Sequence, residues 1–318
     1  MLRRHGYVLL LTLLPLVARV ATLAARPLQE AVPTAPPSAT TATPAPSQQE
    51  LHELIERLIA TTHRSDAAQD EYAFTAHFVI YGRDANARPK LDRVYRVYPT
   101  GVGPRAVRMA DRDKPVTPEK YRRELADLEA GLLESRDPAH SDKFVQSSAR
   151  KKEIEERYRA VEGFRDAYQV TWLGTESLAN YPEAGPLAKL LMDPKPGRVY
   201  GPVLTEILIC SRLTLWVQPG SGALVQLDAE MMRDLRYGVI LVQVAKGSRL
   251  HIEQTQVMPG IWLPSSVREE HQARSMGLHF HVAASLDNRD YRHVGSLHDL
   301  FDLVDLAKGK ATLQVPDP

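Results

Sequence analysis

The stretch Ile207-Leu-Ile-Cys-Ser-Arg-Leu-Thr-Leu-Trp-Val217, followed by Pro219-Gly-Ser-Gly222 and Ala223-Leu-Val-Gln-Leu-Asp228, decides how the chain is read. Branched and aromatic residues in two extended runs, separated by a Gly/Pro cluster, specify a β-hairpin. The same grammar continues. Val239-Ile-Leu-Val-Gln-Val244 stops at Lys246-Gly-Ser248, Leu250 to Val257 follows, and Pro259-Gly260 turns into Ile261-Trp-Leu-Pro264. Consecutive short strands joined by tight turns form antiparallel sheet, because parallel neighbours need long crossovers.

Working outward from there, Ser265 to Gln272 and Gly277 to Leu286 read as a further hairpin. Its second strand alternates Leu278, Phe280, Val282 and Ala284 with His279 and His281. Beyond it, Ser296 caps a short helix with Leu297, Leu300, Phe301 and Val304 on one side and Gly309 as its stop. Upstream, Tyr168, Val170 and Trp172 alternate in another strand, and the proline-rich span from Gly174 to Pro202 reads as an irregular crossing loop. The region from Thr117 to Phe164 is dense in Glu, Lys and Arg. Tyr121, Leu125, Leu128 and Leu132, then Ile154, Tyr158 and Val161, recur at helical spacing, so it reads as two helices with solvated charged faces between strands.

Nearer the start, Tyr72 to Ile80 and Asp92 to Tyr98 form a long-looped hairpin, with Arg105 to Ala110 as a short third strand. Ser47-Gln-Gln-Glu50 is a capping box. It opens a helix whose Leu51, Leu54, Ile55, Leu58 and Ile59 make one apolar stripe. Between Arg26 and Gln49 the chain carries six prolines and, from Ala31 onward, no charge. Such a segment buries too little apolar surface to offset its ordering entropy, so residues 26–46 are expected to be a flexible linker. Met1 to Tyr7 supplies a basic start and Val8 to Val17 an apolar core too short to span a bilayer, the pattern of a signal peptide over residues 1–25. Cleavage after Ala24 or Ala25 and retention as an N-terminal anchor are both compatible with it. The expected organisation is signal, linker, one α+β domain over 47–310 with a helical insertion at 117–164, and a tail at 311–318.

Composition narrows the function. The 318 residues are 43% hydrophobic, enough for a sizeable core, and 40 Lys and Arg against 39 Asp and Glu give a net charge of +1. That balance provides no electrostatic footprint for nucleic acid. Cys210 is the only cysteine and lies deep in the chain, so no internal disulfide forms and no cysteine near the signal is available for lipid attachment. In an apolar strand it reads as an inert buried thiol.

Catalytic signatures are missing. His52-Glu53 is followed by Glu56 where a zinc-protease helix needs its second histidine, and neither a G-x-S-x-G elbow nor a phosphate-cradling Gly loop occurs. No cofactor is implied. His251, His271, His279 and His281 share neighbouring strands, and whether they converge depends on hairpin register. A turn at Ser275-Met276 sets His271 opposite Phe280 and turns it away from the other two, leaving a polar face with a Glu270–His281 pair. Trp172, Trp216 and Trp262, with Phe74, Phe78 and Phe280, are candidate lining for a hydrophobic hollow, set against the plainer reading that strand aromatics are core.

The phrases Leu215-Trp-Val217, Leu224-Val-Gln-Leu-Asp228, Lys246-Gly-Ser248, Trp262-Leu-Pro264 and Tyr291-Arg292, in that order after a signal and an amphipathic helix, resemble exported bacterial proteins related to the lipoprotein-sorting carriers LolA and LolB. The likeness runs from about Tyr168 to His293. It implies a curved antiparallel sheet forming an incomplete barrel, with helices over a hollow that holds acyl chains. By that resemblance the expected role is an extracytoplasmic, non-enzymatic binder of lipid or lipoprotein acyl chains. The alternative is a protein-interaction or envelope-sensing module of the same fold, as in RseB and MucB, with an envelope protein as partner. The charged region 117–164 departs from the small carriers, and the absent lipid-modified cysteine departs from LolB. Membrane contact is expected only through the signal segment.

Overall fold

The computed structural model describes residues 44–81, 88–100, 103–112, 114–134, 148–162, 164–196, 210–237, 242–275 and 278–309. The signal, most of the linker and the tail lie outside these residues, as do Ile207 to Ile209 at the head of the deciding stretch.

Helix α1 (Gln48–Gln69) begins at Ser47, whose hydroxyl accepts from the Glu50 amide while the Glu50 carboxylate accepts from the Ser47 amide at 2.7 Å. The expected capping box is present, and all five residues of the expected stripe are buried. Three antiparallel meanders follow. The first is β1 (Tyr72–Tyr81), β2 (Leu91–Tyr98), β3 (Arg105–Asp111) and the two-residue β4 (Lys114–Pro115). Helices α2 (Pro118–Glu134), α3 (Ser148–Glu162) and α4 (Phe164–Ala167) then lead to the second meander, β5 (Tyr168–Glu176), β6 (Leu187–Pro194), β7 (Ser211–Val217) and β8 (Leu224–Met231). After the short β9 (Leu235–Tyr237) and β10 (Val242–Val244), the third is β11 (Arg249–Met258), β12 (Ile261–Ser275) and β13 (Leu278–His293); α5 (Leu297–Gly309) closes the described chain.

These meanders assemble into one antiparallel sheet in the order β4-β3-β2-β1-β13-β12-β11-β8-β7-β6-β5, with β9 and β10 forming a small ladder against β12. The third meander slots between the first two. Its last strand pairs with the first strand of the chain, Tyr72 opposite His293 and Phe78 opposite Leu286. The fold is therefore α+β with an open antiparallel sheet, whose path ends at β4 on one side and β5 on the other.

Two features differ from the sequence reading. The span from Gly174 to Pro202 is not all irregular, since Leu187–Pro194 is an interior strand paired on both sides. Prolines at both ends hid a run whose Leu187, Ala188, Leu190 and Met192 are all fully buried. The charged helical region also has a topological job, because it carries the chain from one edge strand of the sheet, β4, to the other, β5.

The helices are divided between the two faces. α1 lies on the β5–β8 half, packing Leu54, Leu58 and Ile59 with Leu190, Leu213 and Leu215. Polar bonds pin it there: Thr61 Oγ1 donates to the Ser221 carbonyl at 2.8 Å, and the Trp262 amide donates to Ser65 Oγ at 3.1 Å. Gly222, at φ 72°, completes the docking, because a Cβ there would collide with the Arg57 backbone. On the opposite face at the other end, α2 and α5 pack Tyr121, Leu125, Leu128, Leu300 and Val304 with Val94, Val107 and Ala110. Ser296 caps α5 as expected, its hydroxyl accepting from the Asp299 amide at 3.1 Å.

Candidate ligand-binding face

Strand register turns separate apolar patterns into one surface. Phe78, Leu286, Val267, Ile252, Leu227, Leu215, Leu190 and Trp172 stand directly opposite one another in sequence across β1, β13, β12, β11, β8, β7, β6 and β5. Directly paired residues share a face, so this is an unbroken apolar row across eight strands. One residue away in each strand the chemistry reverses. His77, Asp287, Ser266, Glu253, Gln226, Trp216 and Lys189 form the adjacent row on the other face.

The two ends of the apolar row differ in what covers them. At the β5–β8 end the row belongs to the cluster that includes the α1 stripe. At the β1–β13–β12 end, Phe74, Phe78, Ile80, Val267, Ala284 and Leu286 pack with Val97, and among the described residues no helix side chain joins them. Leu91, Tyr95, Leu250 and Ile252 border this cluster, half-buried. The cluster itself is buried, so its half-buried strand border, Leu91, Tyr95, Leu250 and Ile252, is the part that an apolar ligand can reach.

The six aromatic residues singled out in the sequence are placed as follows. Phe74 and Phe78 meet in the helix-free cluster. Trp172 lies at the far end of the row, half-buried against the α1 cluster, with its indole N–H buried and unpartnered. Trp216 and Trp262 instead meet each other in a separate cluster with Tyr181, Leu187 and Val225. Trp216 is tied into the polar row: its N–H donates to Glu176 at 3.0 Å, and the Lys189 ammonium, itself 2.9 Å from Glu176, sits 4.8 Å above its ring. Burial pushes the Glu176 carboxyl up, but the bonds from Lys189 and Trp216 outweigh it and leave the pKa lowered. Phe280, on β13, pairs with Ala273 of β12, and its side chain lies outside the described residues.

Aliphatic members of the row, such as Leu190, Leu227 and Ile252, were not singled out from the sequence. Leu227 and Ile252 lie in stretches that read as strands, whereas Leu190 lies in the span read as an irregular loop. Only register shows that they line up.

Each described strand histidine has a carboxylate of its own. His251 Nδ1 lies 2.5 Å from Asp228 and its Nε2 3.4 Å from Glu253, and the hydrogen bond to Asp228 raises its pKa. His281 bonds Glu270 at 2.9 Å, the pair expected from the sequence. The register behind it differs: Ser275 pairs with Leu278 and His271 with Val282, two residues along β13 from the expected Phe280, and a two-residue shift keeps His271 and His281 on opposite faces as anticipated. His271 bonds Glu269 at 2.9 Å on the apolar face, both side chains mostly buried. The His279 side chain lies outside the described residues. Among the described residues no group of three His, Cys, Asp or Glu is arranged to hold a metal, and no helix is long and apolar enough to cross a membrane. Cys210 is buried with Met231, Leu235 and Val244.

No protein-family model and no curated protein matches the chain. Among solved structures, a LolA superfamily protein from Nitrosomonas europaea is similar at 10% identity with a TM-score of 0.29, covering 76% of this chain and 92% of that one. MucB in complex with MucA(peri) is similar at 9% identity and TM-score 0.22, covering 77% and 99%. The MucA/MucB complex of Pseudomonas aeruginosa gives 9%, 0.20, 75% and 99%. These likenesses are remote.

Proposed function

We propose that the protein is an exported, non-enzymatic binder of lipid or of the acyl chains of a lipoprotein, which it holds against the β1–β13–β12 end of the apolar row. The observation that supports this reading is the row itself, unbroken over eight strands and, among the described residues, joined by no helix side chain at that end. Moving acyl carbon from water onto such a surface is favourable by about 0.8 kcal/mol per methylene. Phe78, Phe74 and Ile80 are the proposed contacts, while Trp216 and Trp262 pack the separate cluster. The basic and apolar start of the chain supports export.

Native mass spectrometry of the chain purified from an envelope fraction tests the reading. The expected result is co-purified lipid that declines several-fold in Phe78→Ala and persists in Trp216→Phe, with circular dichroism showing both variants folded. Equal retention in a folded Phe78→Ala, or a stoichiometric protein partner without lipid, would defeat it; the second outcome would favour the envelope-interaction module instead.

A further inference from the structure

At the edge of the sheet where the first meander ends, a cleft of about 440 Å³ is lined by Arg88, Arg108, Asp111, Arg112, Lys114, Pro115, Val116, Thr117 and Lys120. Five of these are cationic and one is acidic. The bias is built into the local sequence: Arg88 to Arg123 carries 11 Lys and Arg against 4 Asp and Glu, in a chain whose net charge is only +1. The one carboxylate of the lining is already engaged, since Asp111 holds Arg93 and Arg108, each at 3.2 Å. Arg88, Arg112, Lys114 and Lys120 have no carboxylate partner among the described residues. Among the described residues, four cations therefore line one concavity without a carboxylate partner.

The backbone adds to the same field. Thr117 stands just before α2, its hydroxyl accepting from the Lys120 amide, so the positive end of a 17-residue helix opens beside the cleft. Arg112 sits at φ 58°, a left-handed conformation that non-glycine residues rarely adopt. Charge on a sheet edge also discourages strand addition, but that role needs no concavity.

We propose that this cleft is a binding site for a phosphate-type oxyanion, with Arg112, Lys114 and Lys120 as its principal contacts and Arg88 and Arg108 at its sides. Guanidinium forks and helix amides suit the several acceptor oxygens of such a group. The phosphate is borne either by a lipid headgroup or by a soluble compound. Register favours the first source: Asp111 pairs with Arg93, which pairs with Phe78, so the cleft adjoins the end of the apolar row.

The test is calorimetric titration of the purified chain with sodium pyrophosphate at low ionic strength, where screening is weak. In the triple variant Arg112→Asn, Lys114→Gln, Lys120→Gln the affinity should fall about tenfold or more, from losing several exposed charge contacts together. Its urea midpoint should hold or rise, because Asn tolerates the left-handed backbone better than Arg. No pyrophosphate binding by the parent chain, or equal binding by the triple variant, would overturn the proposal. A second arm separates the sources. Flotation with phosphatidylglycerol vesicles but not phosphatidylcholine vesicles, competed by pyrophosphate and lost in the triple variant, supports a lipid headgroup. Pyrophosphate binding without vesicle binding supports a soluble phosphate compound. Neither arm depends on Phe78, so this site and the acyl-binding reading can fail separately.

Discussion

The two faces of the central sheet are built from the same strands, yet they follow different rules. On one face, Phe78, Leu286, Val267, Leu215 and Leu190 are 0–7% exposed and belong to apolar clusters, one of which includes α1. On the other face, His77 meets Asp92 at 2.8 Å, His251 meets Asp228, Arg212 meets Asp193 at 2.6 Å, and Arg268 reaches Asp287 at 3.6 Å. The apolar face stabilises the fold by removing carbon from water. The half-exposed ion pairs of the other face contribute little net energy, because water screens them, and that face buries carbon instead where α2 and α5 pack on Val94, Val107 and Ala110. Along the row shared by these strands, one face is therefore a continuous apolar core and the other a set of screened ion pairs.

That contrast breaks most sharply at adjacent positions of β7. Leu215→Ala should cost about 4 kcal/mol in urea unfolding, as expected for a fully buried leucine whose cavity cannot collapse. Its neighbour Thr214→Ala, on the polar face, should stay within about 0.5 kcal/mol. Similar losses at both positions would mean that the faces are not energetically distinct.

The docking of α1 onto the apolar face comes next. Gly222→Ala should destabilise by about 2 kcal/mol more than Gly247→Ala, from overpacking against the helix. Both glycines have positive φ, but only Gly222 has the Arg57 backbone in the way, while Gly247 has nothing within 4 Å. Equal losses would show that α1 is not held by this contact. Removing the cap of the same helix is a smaller change: Ser47→Ala should lower stability by about 1 kcal/mol, read as a shift in the urea midpoint without a change in slope.

The smallest effect belongs to the polar face. His251 has a raised pKa because Asp228 accepts its ring proton, with Glu253 adding to the effect against the cost of burial. A raised folded value means that the stabilising contribution is complete below the ordinary histidine pKa of 6.5 and is lost as pH rises through the folded value above it. The amount is a few tenths of a kcal/mol, since Asp228 is 45% exposed and the pair is screened. His251→Gln should flatten the decline in stability across that window. An unchanged pH profile would place the dependence on other groups.

Much of this architecture is legible in the chain before any coordinates. The capping box at Ser47, the stripe from Leu51 to Ile59, the turns at Gly222, Gly247 and Gly260, and the cap at Ser296 are local, and local backbone chemistry suffices to read them. β6 is hard to read because flanking prolines carry a turn signal and Leu187-Ala-Lys-Leu-Leu-Met192 is a short apolar run without alternation. The candidate face was half legible. Alternation marks Phe74 and Phe78 as inward, but an aromatic count cannot separate them from Trp216 and Trp262, which cluster elsewhere.

What the polypeptide settled alone was the identity of its strands, turns and caps, since each depends on contacts within a few residues. What folding decided was which strands became neighbours. β1 meets β13 across some two hundred residues of intervening chain, and β11 meets β8 beyond the β9–β10 ladder. Alternation with period two fixes which residues share a strand face, but it holds no address for the partner strand, so an apolar row eight strands wide exists only once long-range pairing has set every register together.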